Sequence, residues 1–306
     1  MKILVTGGAG FIGSHIAQAC VEAGHEVLVV DDLSSGHLTN VPEEASFEEL
    51  DIRSEEVANL IVSEKPDFIS HHAAQINVRV SVEQPIFDAS VNVLGLVNVV
   101  EAARRAGTRR VIFASSGGTV YGDPEVLPCD EGQPLHPVCP YGVSKLSGEH
   151  YLHYYALCRG VAYTALRYAN VYGPRQDPHG EAGVIAIFCE KLLRDEDVMI
   201  FGDGEQTRDY VFVGDVVRAN MACLEAGYDG GVNIGTGKET NVLELSELLR
   251  GLIGGKGVAV HGEARDGEVR RSVLDASLAA KVLNWEPRTS LTVGLAETVD
   301  FFRSRI

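Results

Sequence analysis

Through the first two-thirds of the chain, short runs of apolar and β-branched residues alternate with longer stretches whose apolar positions follow a helical period. The short runs predict strands at Lys2–Val5, Val27–Val30, Asp67–His71, Arg110–Ser115 and Ala162–Arg167, with a further strand ahead of Asp51. The longer stretches predict helices at Ile12–Ala23, Val57–Glu64, Val91–Ala106 and Tyr141–Cys158. Gly24 and Gly107 follow two of these helices, where a left-handed residue closes the last turn. Strand–helix alternation of this kind builds parallel strands with helical crossovers. The fold class is therefore α/β, a doubly wound parallel sheet covered on both faces.

After Tyr168 the texture changes. Gly173–Gly183 is rich in Gly, Pro and charge and reads as a ligand-facing loop, while Arg208–Val213 reads as a strand. Asn241-Val242-Leu243-Glu244 is a capping box that opens a helix reaching Ile253. Gly254–Gly257 breaks the pattern, and Val293–Phe302 is a closing helix. The expected division is a dinucleotide-binding domain over 1–168, with returning segments around 208–237, and a smaller α/β C-terminal lobe over the remainder of 169–306.

Composition narrows the function. With 306 residues, 45% hydrophobic and 23% charged, the chain can bury a sizeable core. Its net charge of −17 argues against a nucleic-acid partner, whose phosphates need Lys and Arg. The start runs directly into a strand and turn, so no signal peptide is expected. No stretch reads as approaching the roughly 18 apolar residues of a span, so no membrane partner and a cytoplasmic location are expected. Six scattered cysteines without a CxxC pair read as packing residues in a reducing compartment. No His/Cys/Asp grouping has zinc spacing, so no metal is expected.

Two motifs carry chemistry. Thr6-Gly7-Gly8-Ala9-Gly10-Phe11-Ile12-Gly13 lies between the first strand and first helix, with acidic residues at the end of the second strand. Such a turn lets a pyrophosphate touch the backbone at a helix N-terminus, so Gly7, Gly10, Phe11, Ile12 and Gly13 are cofactor-binding candidates in a Rossmann-type fold. Asp31, beside Asp32, is placed for the ribose hydroxyls and would repel a 2′-phosphate, which favours NAD over NADP. Asp51 and Ile52 are candidates for the adenine, and Ala73, Ala74 and Gln75 for a close approach of the cofactor. His71 and His72 read as sheet-end packing; Asn92 reads either as a cofactor contact or as a backbone bridge. The second motif is Tyr141-Gly142-Val143-Ser144-Lys145. Tyr141 and Lys145 share a helix face, and an adjacent ammonium, helped by a nicotinamide cation, favours the phenolate of a general base. A hydroxyl partner is expected from Ala114–Gly122.

These segments (TGGAGFIG, HHAAQ, SSGGTVYG, PYGVSK, RYANVYGPR, RDYVFVGD and NIGTG) resemble the UDP-glucose (UDP-galactose) 4-epimerase family of extended short-chain dehydrogenases/reductases, over nearly the whole chain. The resemblance implies an NAD-dependent isomerase that epimerises a UDP-sugar at C4 through a 4-keto sugar. In it Tyr141 is the base, Lys145 binds the nicotinamide ribose, and Ser116 or Thr119 is the hydroxyl. It further implies substrate contacts from Asn170, Val184, Phe201, Arg208, Arg265, Glu268 and Ser272, and a homodimer through a four-helix interface of the Val91 and Tyr141 helices. Two departures stand out. The Asn common in the family is missing from Glu181–Val184, which leaves phosphate contacts there to the backbone. The loop after Ser116 is one residue longer than the common form; counting from the strand selects Ser116, with Thr119 as the fallback. A 4,6-dehydratase would need an acidic pair where Gly117-Gly118 stand, a UDP-glucuronate epimerase or decarboxylase remains an alternative, and a non-enzymatic NAD sensor would not need Tyr141 and Lys145.

Overall fold

A computed structural model describes residues 1–179, 183–264 and 269–306. The first part contains β1 (Lys2–Thr6), α1 (Phe11–Glu22), β2 (Glu26–Asp31), β3 (Ser46–Glu49), α2 (Glu55–Glu64), β4 (Phe68–His71), α3 (Val78–Glu83), α4 (Pro85–Ala89), a π-helical turn (Ser90–Gly95), α5 (Leu96–Ala106), β5 (Arg110–Ser116), α6 (Gly117–Val120), α7 (Pro140–Arg159) and β6 (Ala162–Tyr168). There follow β7 (Asn170–Tyr172), α8 (Val184–Leu193), β8 (Val198–Phe201), β9 (Thr207–Arg208), β10 (Tyr210–Phe212), α9 (Val213–Cys223), β11 (Gly230–Ile234), β12 (Thr240–Asn241), α10 (Val242–Ile253), β13 (Ala259–Gly262), β14 (Arg271–Ser272), α11 (Ser277–Leu283) and α12 (Leu291–Arg303).

Among the described residues, seven parallel strands form the central sheet in the order β11-β6-β5-β4-β1-β2-β3. Ile3, Leu4 and Val5 of β1 are fully buried, as a strand covered on both faces requires. The order reverses between β1 and β4, and in such sheets the crevice beyond the carboxyl ends of these two strands receives the ligand. A second core gathers Tyr172, Phe188, Leu192, Leu245 and Phe302 from the later elements.

Three expectations need correction. Arg208–Val213 is not one strand: β9 pairs with β12 and β14, β10 pairs with β7, and Val213 already opens α9. The break falls at Asp209, which is 1% exposed and accepts bonds from Thr236 N, Gly237 N and Leu274 N, so the chain must turn its carboxylate inward. The Gly173–Gly183 loop ends where α8 begins, and α8, α9 and α11 all lie in segments with no helix expected. Finally, Pro85–Ala106 is a continuous helical run of 22 residues with mean hydropathy 1.5, long and apolar enough to cross a membrane by length and composition alone. It is apolar on two faces. Leu96, Val99, Val100 and Ala103 enter the core, whereas Ile86 and Leu94 are exposed at 86% and 64%.

Candidate active site

The turn after β1 is shaped for a close-lying group. Gly7 has φ +69°, and a Cβ there would lie 2.5 Å from Ala73 N, while a Cβ on Gly13 would meet Gly7 O at 2.1 Å. Helix α1 therefore starts pressed against the turn. Its N-cap, Gly10, supplies no side-chain bond, and its first turn carries no acidic residue. The orphan N–H groups of Phe11, Ile12 and Gly13 are thus available to an anion. Asp31 is buried below the turn, accepting from Ala9 N at 3.0 Å and Leu33 N at 2.9 Å. Burial raises its carboxyl pKa and these backbone bonds oppose the rise. Each oxygen keeps a further lone pair for a ribose hydroxyl. Asp32 is exposed and caps Ser34, and Asp51 is held by Arg53 Nε at 2.9 Å. Ile52 is buried, close against Gly95 of the π turn. The glycine cradle, the open helix terminus and Asp31 together fit a dinucleotide.

Beyond β4, Ala73 and Ala74 lead into Gln75, whose backbone N and O are both bonded by the Asn92 side chain at 2.9 Å. The bridging role therefore applies to Asn92, which is buried in the π turn. His71 bonds Thr6 Oγ1 at 2.8 Å, and His72 stacks on Tyr168 and bonds Ser70 Oγ at 2.9 Å. Burial drives both imidazoles down to about 3, so they are neutral packing groups.

The catalytic constellation sits one strand over, at the carboxyl end of β5. The Ser116 side chain lies beside the Tyr141 phenol and lowers its pKa. Thr119 turns its hydroxyl toward Ser116 O at 3.5 Å. Helix α7 reaches this position because Gly142 lets it pack on Thr119, where a Cβ would lie 2.8 Å from Thr119 O. Lys145 is 4% exposed, donates to Ala114 O at 2.9 Å, and places Nζ 5.6 Å from the Tyr141 ring centroid. Burial pulls its ammonium down to about 8. In the protein alone, burial pushes the Tyr141 pKa up, Asp88 and Cys139 add to the rise, and the Ser116 side chain opposes it. A bound nicotinamide cation would favour the phenolate.

The sheet then leads to the remaining candidates. Ser116 pairs with Tyr168, and Asn170 N bonds Asp209 O at 2.9 Å. Asp209 ties the Thr236-Gly237 turn and Leu274 to the strand residue Arg208, which lies in register with Ser272. Leu274 explains Gly117: a Cβ there would lie 2.4 Å from Leu274 Cδ1. Val184 is the first residue of α8, whose N-cap Gly183 makes no side-chain bond. Phe201 ends β8. Arg265 and Glu268 lie outside the described residues.

Three residues escaped the sequence reading. Asp88 is fully buried and bonds Ser144 Oγ at 2.6 Å. Glu149, one turn beyond Lys145, forms a buried pair with Arg167 at 2.7 Å, and Arg167 also bonds Tyr121 OH at 2.8 Å. The spacing of Glu149 from Lys145 was a signal that could have been used.

Comparison with known proteins agrees with this geometry. The sequence model of the NAD dependent epimerase/dehydratase family matches residues 3–235. A UDP-glucose 4-epimerase of Mycolicibacterium smegmatis is 46% identical over 311 residues, covering 100% of this chain and 99% of its own. The structure of a Thermotoga maritima UDP-glucose 4-epimerase with UDP-glucose superposes at TM-score 0.98 with 48% identity, covering 100% and 99% of the two chains. That of a Thermus thermophilus UDP-glucose 4-epimerase with NAD superposes at 0.95 with 42% identity, covering 100% of both.

Proposed function

Because this chain belongs to the NAD dependent epimerase/dehydratase family, we propose that it is an NAD-dependent isomerase that inverts a UDP-sugar, UDP-glucose or UDP-galactose, at C4. The observation that carries this reading is the buried Lys145, its Nζ 5.6 Å from the Tyr141 ring centroid and bonded to Ala114 O at the carboxyl end of β5. Residues 1–168 with β11 form the cofactor domain, and the remaining lobe holds the nucleotide sugar. The glycine turn, Asp31 and the backbone of Ala73 to Gln75 would hold NAD, which would supply a hydride acceptor and donor for C4. Tyr141 removes the proton of the 4-hydroxyl and later restores it. Ser116 donates to the sugar oxygen as it becomes a carbonyl. Lys145 holds the nicotinamide ribose and supplies positive charge below Tyr141. Arg208, Arg265 and the α8 N-terminus hold the diphosphate. Elimination of water has no acid–base pair at Gly117-Gly118, and a Cβ on Gly117 would meet Leu274 Cδ1 at 2.4 Å.

The cofactor reading predicts that NAD is released when the purified protein is denatured, since the reaction returns it to its starting state. Chromatography of the released nucleotide checks this. NADP in its place would remove Asp31 from its role.

Ser272 beside Arg208 is small and partly exposed. With no bulky ring at this point, UDP-N-acetylgalactosamine is expected to turn over alongside UDP-galactose, and Ser272→Tyr is expected to abolish the first activity selectively. Steric exclusion in a packed pocket is nearly all-or-none. Equal loss of both activities, or of neither, would contradict the assignment.

The exposed apolar side chains Ile86, Leu94, Val143 and Leu157 supply the second face of a four-helix homodimer interface. All six cysteines are free, which suits the reducing cytoplasm.

A further inference from the structure

We propose that Asp88 is a positioning residue for the Tyr141–Lys145 pair, a buried anion that ties the catalytic helix to the cofactor loop and balances the Lys145 cation. The inference rests on the reading of Tyr141 and Lys145 given above. Asp88 has no solvent exposure. Its Oδ2 accepts from Ser144 Oγ on α7 at 2.6 Å, and its Oδ1 accepts from Gln75 Nε2 at 2.8 Å and Asn92 Nδ2 at 3.0 Å. Gln75 and Asn92 belong to the segment beyond β4, and Asn92 also bridges the Gln75 backbone. One carboxylate thus joins the residue before Lys145 to the loop expected to lie along the nicotinamide half of the cofactor.

A carboxylate wholly removed from water is costly unless bonded and charge-balanced. Three neutral donors satisfy its oxygens, but none brings a charge. Its charge acts on Lys145 and Tyr141 from α7; Cys139 also faces Tyr141, and the neutral His71 and His72 at the end of β4 face Lys145. Lys145 itself bonds a backbone carbonyl, and Asp88 is the anion that opposes the effect of burial on it. The same anion acts against ionisation of Tyr141. Asp88 therefore sets the pH range in which the ammonium is present and the phenol can surrender its proton.

The test is the pH dependence of kcat/KM for UDP-galactose in the holoenzyme carrying Asp88→Asn. The amide is isosteric, with its oxygen accepting from Gln75 and Asn92 and its nitrogen donating to Ser144 Oγ, so all three bonds can persist. Loss of the anion lowers the pKa of both Tyr141 and Lys145, and the whole profile is expected to move toward lower pH by about one unit. A uniform loss of rate with no shift would reduce Asp88 to a structural bond and overturn the proposal. Ser144→Ala provides a second arm. It breaks the tie to α7 but keeps the charge, and a several-fold fall in kcat with an unmoved profile is expected; a wild-type kcat would overturn the tie. Tyr141→Phe is measured in parallel. An active Tyr141→Phe enzyme would mean that the reading of the pair itself had failed, whereas an inactive one with an unshifted Asp88→Asn profile would sink Asp88 alone.

Discussion

Tyr141→Phe is expected to lower kcat by at least about two orders of magnitude, the lower end of what a positioned acid–base group contributes. UDP-sugar affinity should change little, because one hydroxyl is lost from a large site. The expectation follows from geometry, since Tyr141 is the phenol whose ring lies 5.6 Å from Lys145 Nζ, and Lys145 makes its own hydrogen bond to Ala114 O. Steady-state turnover and a separate binding isotherm check the two halves. Near-normal turnover would take Tyr141 out of the mechanism.

Glu149→Ala is expected to destabilise the fold by about 3–5 kcal/mol, the range for breaking a buried ion pair on one side. Glu149 Oε2 lies 2.7 Å from Arg167 Nη2, and both side chains are 7% exposed. Without Glu149, the Arg167 guanidinium keeps Tyr121 OH but loses its only carboxylate among the described residues. Ser115 Oγ, next to the catalytic hydroxyl, loses its acceptor as well. Denaturant unfolding of the variant and of Glu149→Gln measures this. Gln keeps an acceptor for Ser115 and Arg167 and should lose less. A change below about 1 kcal/mol, ordinary for a surface position, would contradict the account.

The legible parts of the chain were those whose signal is local. The glycine turn follows β1 and opens α1, and its spacing alone implied the close contacts found at Gly7 and Gly13. Tyr141 and Lys145 are one helical turn apart, so their shared face needed no tertiary information. The helices that went unread are buried on more than one side. Helix α8 opens with the nearly continuous apolar run Val184–Cys189, which has no period to separate helix from strand. Helix α9 places Asp215 and Asn220 inside, where they bond Arg288 N and Tyr168 OH, so its polar positions mislead a surface reading. Asp88 and Glu149 were missed for the same reason. A charged residue in sequence reads as solvated until the strands and helices that bond it are brought together. The choice between Ser116 and Thr119 turns on where β5 ends and on the direction of two hydroxyls, which no count along the chain decides.

The central claim is that C4 is inverted by removing and returning its own hydrogen. UDP-galactose deuterated at C4 should be converted to UDP-glucose by the purified enzyme without added cofactor, and NMR should find the deuterium still at C4 of the product. Release of the label to solvent, or a product that has lost water or carbon dioxide in place of epimerised sugar, would contradict it.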